Sequence, residues 1–94
     1  MALFALICID KPGALGLRMQ TREAHFAYLR ERGGLRLGGP FLDASGDMAG
    51  SLMIIEAEDQ AAAESFAAGD PYAKAGLFER VEVRPWRVTL GQRA

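Results

Sequence analysis

The chain has little of what builds covalent or metal frameworks. Its 94 residues include one cysteine, Cys8, and one histidine, His25. One cysteine forms no internal disulfide. With one His and one Cys, a tight metal site would need carboxylates, and none cluster at ligand spacing, so no metal is expected. Cys8 sits in an apolar stretch, where a thiol acts as a small hydrophobe and its pKa rises. No block of like charge exists: 11 basic residues face 12 acidic ones, for a net charge of −1. Without a basic stripe to track phosphates, nucleic acid is not an expected partner. The apolar run Ala2–Ile9 is too short to span a bilayer. It lacks a basic lead-in and ends at Asp10-Lys11-Pro12, so no membrane association is expected and the address read by default is cytoplasmic. No phosphate-cradling glycine loop occurs, no Gly-x-Ser-x-Gly elbow surrounds Ser51, and no cofactor is expected.

What is present suits one domain over residues 1–94. Half of the residues are hydrophobic, enough for a core. The fraction is slightly high for so short a chain, which hints at apolar surface covered by a partner.

Leu3–Ile9 reads as a strand that is apolar on both faces, hence central. A helical pattern runs from about Leu17 to Arg32 and stops at Gly33-Gly34. Leu35–Leu42 is a second strand, and its Gly38-Gly39-Pro40 interruption assigns it to an edge. Asp43–Asp47 is a turn, and Met48–Ala57 a third strand, again doubly apolar. Asp59 should cap a helix over Ala61–Ala68, and Asp70-Pro71 opens a further turn through Lys74. A last strand runs from about Phe78 to Leu90, marked as an edge by Pro85 and by Arg80, Glu82 and Arg84. The order is βαββαβ. Two central and two edge strands fit an α+β ferredoxin-like fold with antiparallel sheet order 4-1-3-2. Both helices then lie on one face. The other face would carry apolar side chains that a monomer seldom exposes, and a homodimer packed sheet on sheet is the simplest cover.

On the first helix, angles taken from Met19 put Phe26 near about 340°, Arg22 near about 300°, Leu29 near about 280° and His25 near about 240°. This reading places Phe26 at the centre of the apolar arc, Arg22 inside it and His25 at its border. Cutting Phe26 to Ala should then cost about 3–5 kcal/mol, and cutting His25 only ~1 kcal/mol or less. A guanidinium facing a core needs a carboxylate, a cavity or a path to water. A histidine becomes a general base when a second group fixes its tautomer and a cleft brings substrate to it. Asp70 is the best partner in sequence: as a helix cap it still has a free carboxylate oxygen. Tyr72 and Ser51 each offer a hydroxyl.

Several segments, in order along nearly the whole chain, resemble the YCII family. They are Arg22-Glu23-Ala24-His25-Phe26-Ala27-Tyr28-Leu29, Gly38-Gly39-Pro40-Phe41, Gly46-Asp47-Met48-Ala49-Gly50-Ser51, Asp70-Pro71-Tyr72-Ala73-Lys74-Ala75-Gly76-Leu77 and Val81-Glu82-Val83-Arg84-Pro85-Trp86. The Asp-Pro-Tyr octet is the specific one. The resemblance implies a ferredoxin-like dimer of the α/β-barrel kind. It also implies a site around a His and an Asp, which fall on His25 and Asp70, with Arg22, Ser51 and Tyr72 at positions lining the same pocket. Some relatives are linked to elimination from chlorinated hydroxyquinols. Two readings follow. In the first, His25 takes a proton from a small anionic or phenolic substrate, Asp70 orients the imidazole and Arg22 holds the anion, for elimination or isomerisation. In the second, the same pocket of a homodimer binds a metabolite without turnover.

Overall fold

A stretch with large side chains on both faces belongs inside a sheet, and Ala2–Asp10 (β1) has a strand on either side. The computed structural model describes residues 1–91. Along the chain follow α1 (Leu15–Arg32), β2 (Leu35–Leu42), β3 (Met48–Ala57), α2 (Gln60–Gly69), α3 (Pro71–Lys74) and β4 (Phe78–Trp86). The four strands form one antiparallel sheet in the order β2-β3-β1-β4. This is the expected ferredoxin-like order 4-1-3-2, read from the other edge. The last strand stops at Trp86 rather than Leu90. Trp86 pairs with Leu3, and β1 has almost no residues left beyond that point to pair with a longer strand.

Alternation along the strands sorts the side chains. Phe4, Leu6 and Cys8 of β1 and Met53, Ile55 and Ala57 of β3 share one face, where they meet Ala63, Phe66 and Ala67 of α2. Burying each of the larger side chains contributes about 1.5–3 kcal/mol. The opposite face carries Leu3, Ile7 and Ile9 of β1 with Leu37, Leu52 and Trp86, the last three of them exposed. Gly50 lies opposite Ile9, and a Cβ on it would collide with the Cys8 carbonyl, so only glycine permits this close approach of β1 and β3.

The caps fall where side-chain chemistry puts them. Asp59 accepts from Ala62 N at 2.8 Å and starts α2. Gly33, at φ 72°, ends α1 in the left-handed region. Asp70 closes α2 and opens α3, accepting from Tyr72 N at 2.9 Å, with Pro71 as the first residue of α3.

Candidate functional site: a cleft between the first helix and the sheet

Helix α1 is attached to the rest of the fold mainly through polar groups. Its fully buried residues are Arg18 and His25. Near its end, Tyr28 donates to the Phe66 carbonyl of α2 at 2.8 Å. These three side chains project from one side of the helix. The apolar arc measured from Met19 is therefore corrected: Met19 and Phe26 are exposed, at 49% and 36%, and Arg22 is exposed too. His25, placed at the border by that reading, is buried at 6% exposure. The physical reason is that two buried carboxylates outweigh apolar spacing in orienting this helix. A charged or imidazole group that finds a buried acid is held inside, and aromatic bulk is turned outward.

The first acid is Asp70, which is fully buried. His25 Nδ1 lies 2.9 Å from its Oδ1 and 3.0 Å from its Oδ2. A carboxylate only accepts, so Nδ1 carries the proton and donates, which leaves Nε2 unprotonated in the neutral ring. Among the described residues no buried side-chain nitrogen or oxygen lacks a partner. Nε2 makes no hydrogen bond to any of the described residues, so it is reachable from outside. The imidazole also stacks on Tyr72, with ring centroids 4.0 Å apart and an interplanar angle of 18°. Tyr72 is itself wedged edge-on against Phe78, centroids 5.9 Å apart. Burial raises the pKa of the Tyr72 hydroxyl; the charge of Arg18 opposes this and that of Asp70 adds to it.

The second acid is Asp10. It follows Phe4, Leu6 and Cys8 on the helix-facing side of β1, next to an irregularity in the β1–β4 pairing at Ile9/Asp10. Arg18 grips it with one edge of the guanidinium: Nε to Oδ2 at 2.7 Å and Nη2 to Oδ1 at 2.9 Å. Nη2 also donates to Ser51 Oγ at 2.9 Å. The guanidinium carbon sits 4.6 Å from the Tyr72 ring centroid. Burial works against the Arg18 charge, but the hydrogen bond and charge of Asp10 prevail and raise its pKa above the ordinary value. Neither Arg18 nor Asp10 stood among the candidates from sequence. Their signals were faint but present: Asp10 continues the alternation of β1, and Arg18 precedes His25 by two helical turns on the same side.

Between α1 and the β2–β3 half of the sheet lies a cleft of about 390 Å³. Arg18, Arg22, His25, Phe26, Leu29 and Arg30 line it from α1, Ser51, Met48 and Met53 from β3, and Tyr72 from α3. Leu35, Gly38, Gly39 and Pro40 of β2 form the far wall. Of the five candidate side chains, His25, Ser51, Tyr72 and Arg22 thus open on one cleft. Asp70 lies behind His25 and does not line it. Among the described residues no acid lines this cleft, while Arg22 and Arg30 add charge at its rim; the guanidinium of Arg22 lies 5.1 Å from the Phe26 ring centroid. The volume is at the small end for a ligand pocket. Cys8 lies on the core side of β1, and burial pushes its thiol up to about 12. Among the described residues no three His, Cys, Asp or Glu side chains gather as metal ligands, and no helix is long and apolar enough to cross a membrane.

Fold and site together describe a small ferredoxin-like protein with a positively lined cleft over one half of its sheet. The chain belongs to the YCII family: the YCII-related domain matches residues 2–87. It is 35% identical to the protein YciI of Escherichia coli O6:H1 over 94 aligned residues, 90% of this chain and 96% of that one. An uncharacterized protein of Haemophilus influenzae is 31% identical, covering 89% of this chain and 95% of its own. Among solved structures, 5-chloro-2-hydroxyhydroquinone dehydrochlorinase from Burkholderia phenoliruptrix, in complex with 2,5-dihydroxybenzoquinone, superposes with a TM-score of 0.84 at 40% identity, over 90% of this chain and 93% of that one. An antibiotic biosynthesis monooxygenase shares the fold, with a TM-score of 0.59 at 16% identity over 96% of this chain and 100% of its own.

Proposed function

We propose that this chain is a cofactor-independent enzyme that moves a proton on a small anionic or phenolic metabolite. His25 is the base and Asp70 the carboxylate that orients it. One observation carries the reading: His25 spends Nδ1 on a fully buried carboxylate while its ring opens on the cleft. The arrangement supplies what a general base needs, namely a fixed tautomer, a free nitrogen and support for the imidazolium once the proton has arrived. Arg22 attracts the anion, and Ser51 and Tyr72 contact it from the floor of the cleft.

Support for a phenolic substrate comes from the dehydrochlorinase, whose bound ligand is a ring carrying ionisable oxygens. Loss of HCl from a chlorinated hydroquinone to a quinone is a proton-moving reaction. One phenolic proton moves to the ring carbon that bears chlorine, a second phenolic proton leaves, and chloride departs with the electrons of its C–Cl bond. Keto–enol isomerisation begins with the same first transfer. A single imidazole that takes a proton from oxygen and returns it to carbon serves either reaction. We propose further that the protein is a cytoplasmic homodimer whose two copies associate through the sheet face carrying the exposed Leu37, Leu52 and Trp86.

The test is to incubate the protein with chlorinated and unsubstituted hydroxyhydroquinones in D2O without oxygen, following chloride release and ring deuteration by NMR. Wild type should accelerate one or both, and His25→Ala should lose about 10²- to 10⁴-fold of that rate. Equal rates in the two proteins would overturn the assignment of His25. Binding without turnover in the wild type would leave a metabolite-binding protein in place of an enzyme.

A further inference from the structure

Two buried carboxylates stand behind this cleft, and the dyad uses only one of them. We infer that Asp10, Arg18 and Ser51 form a second, electrophilic pole of the site: a relay that holds the Ser51 hydroxyl as a donor to an oxyanion of the bound ligand. The inference rests on the cleft being the substrate site.

The hydrogen-bond valences carry the argument. Asp10 takes two N–H groups of Arg18, and a third goes to Ser51 Oγ. The guanidinium is planar, so the grip on Asp10 dictates where that third N–H points. Ser51 Oγ accepts it and has one proton of its own. That proton has no acceptor among the described residues, and Ser51 lines the cleft. A hydroxyl that already accepts from a cation is polarised toward donation, and its remaining direction is the cleft. Ser51 itself is placed by register: it pairs with Cys8, two residues before Asp10 on the same side of β1. Asp10 and Ser51 therefore belong to one end of one sheet face, and Arg18 bridges them from above. Because the Arg18 charge is matched by Asp10, this pole offers directed donors, whereas Arg22 and Arg30 at the rim offer undirected attraction. Asp10 is a positioning residue, acting through Arg18; Ser51 touches the ligand. In proton transfer, this pole holds the oxygen on which negative charge resides while His25 carries the proton.

The probe is 2,5-dihydroxybenzoquinone, a vinylogous acid that is doubly ionised at neutral pH, titrated at pH 7 by its visible absorption. Hydroquinone, uncharged at this pH, is the comparison ligand. Wild type should prefer the dianion. Ser51→Ala should lower that preference roughly ten- to hundredfold, the span expected for one hydrogen bond to a charged group. Asp10→Asn should lower it comparably, and the double variant Asp10→Asn with Ser51→Ala should be no worse than Asp10→Asn alone, since one acts through the other. A merely structural Asp10 would weaken both ligands alike, and its effect would multiply with that of Ser51→Ala. If Asp10→Asn fails to fold, Arg18→Lys replaces it, because a point charge cannot serve Asp10 and Ser51 in the same geometry. An unchanged preference in Ser51→Ala, or none in wild type, overturns the inference and leaves any anion binding to Arg22 and Arg30. The outcome is separable from the enzyme reading: a preference lost in Ser51→Ala stands even where no substrate turns over, and chloride release can persist where the preference does not exist.

Discussion

Removing His25 alone should cost more stability than removing His25 together with the charge of Asp70. Asp70 is fully buried, and its donors are His25 Nδ1 and the Tyr72 backbone N–H. His25→Ala takes the first away and opens a hole against the Tyr72 ring. Stranding a buried charge costs about 3–5 kcal/mol. In a domain of this size each kcal/mol shifts Tm by about 4–8 °C, so the drop should exceed roughly 12 °C. The cost is well above that of a border histidine. Asp70→Asn keeps an oxygen for Tyr72 N–H and sets an amide beside the imidazole, so it should cost only about 1 kcal/mol. The double variant has no charge to strand and should be more stable than His25→Ala, with a coupling of about 2 kcal/mol or more. Urea unfolding at pH 7, compared at constant m, measures all four corners. If the double variant is less stable than His25→Ala by the full Asp70→Asn decrement, the stranded charge is not the cause and the coupling is absent. The same proteins test the chemistry. Beside the amide that Asp70→Asn introduces, His25 is expected to accept at Nδ1 and hold its proton at Nε2, so turnover should fall about 10²- to 10⁴-fold with the fold nearly intact.

Phe26→Ala should cost about 1 kcal/mol or less, since that ring is half-exposed at the cleft; a melting curve as poor as that of His25→Ala would contradict the placement of α1. The buried thiol makes the protein sensitive to alkali. With the Cys8 pKa raised from 9.0 to about 12, its contribution is complete below about pH 9 and lost as pH rises toward 12. The loss is about 1.4 kcal/mol per pH unit inside that window. Cys8→Ala should flatten the urea midpoint there, and an unchanged slope would assign the alkaline loss to other groups. Gly50→Ala should destabilise by about 1–3 kcal/mol, because its new methyl meets the Cys8 carbonyl; urea denaturation decides. Light scattering at low micromolar concentration should give twice the 10.2 kDa chain mass, and a monomer would remove the case for sheet-on-sheet packing.

The sheet was legible because its determinants are local. Doubly apolar β1 and β3, Pro40 and Pro85 on the outer strands, and Asp59 and Asp70 as caps each announce a position through their own chemistry. Helix α1 was legible in extent but not in orientation. Its apolar residues pointed to one side, while the groups that hold it are Arg18, His25 and Tyr28. Partners 8, 45 and 38 residues away satisfy these groups, and no periodicity within the helix reports such distances. Asp70 was nominated as the partner of His25 by its cap chemistry and by a resemblance, because no spacing rule links two residues so far apart. Asp10 and Arg18 were missed for a related reason. An acid at a strand end reads as a stop signal, and an arginine near a helix start reads as solvent-facing, until the fold buries both.

The two sides of the cleft differ in how freely they can change. On the α1 and α3 side Arg18 and His25 are tied to the buried acids Asp10 and Asp70, and Asp70 also joins two helices, so a substitution at any of these four disturbs the framework along with the cleft. The β2 side is Leu35, Gly38, Gly39 and Pro40, with Met48 and Met53 beside it, and contributes shape alone. A small side chain added at Gly38, which pairs with Met53 and whose new Cβ would face the cleft beside it, or exchanges at the two methionines would resize the cavity without touching a hydrogen bond. A lineage carrying this architecture can thus drift in which molecule it admits while the His25–Asp70 pair stays still. A library confined to those positions is the economical place to look for new substrates.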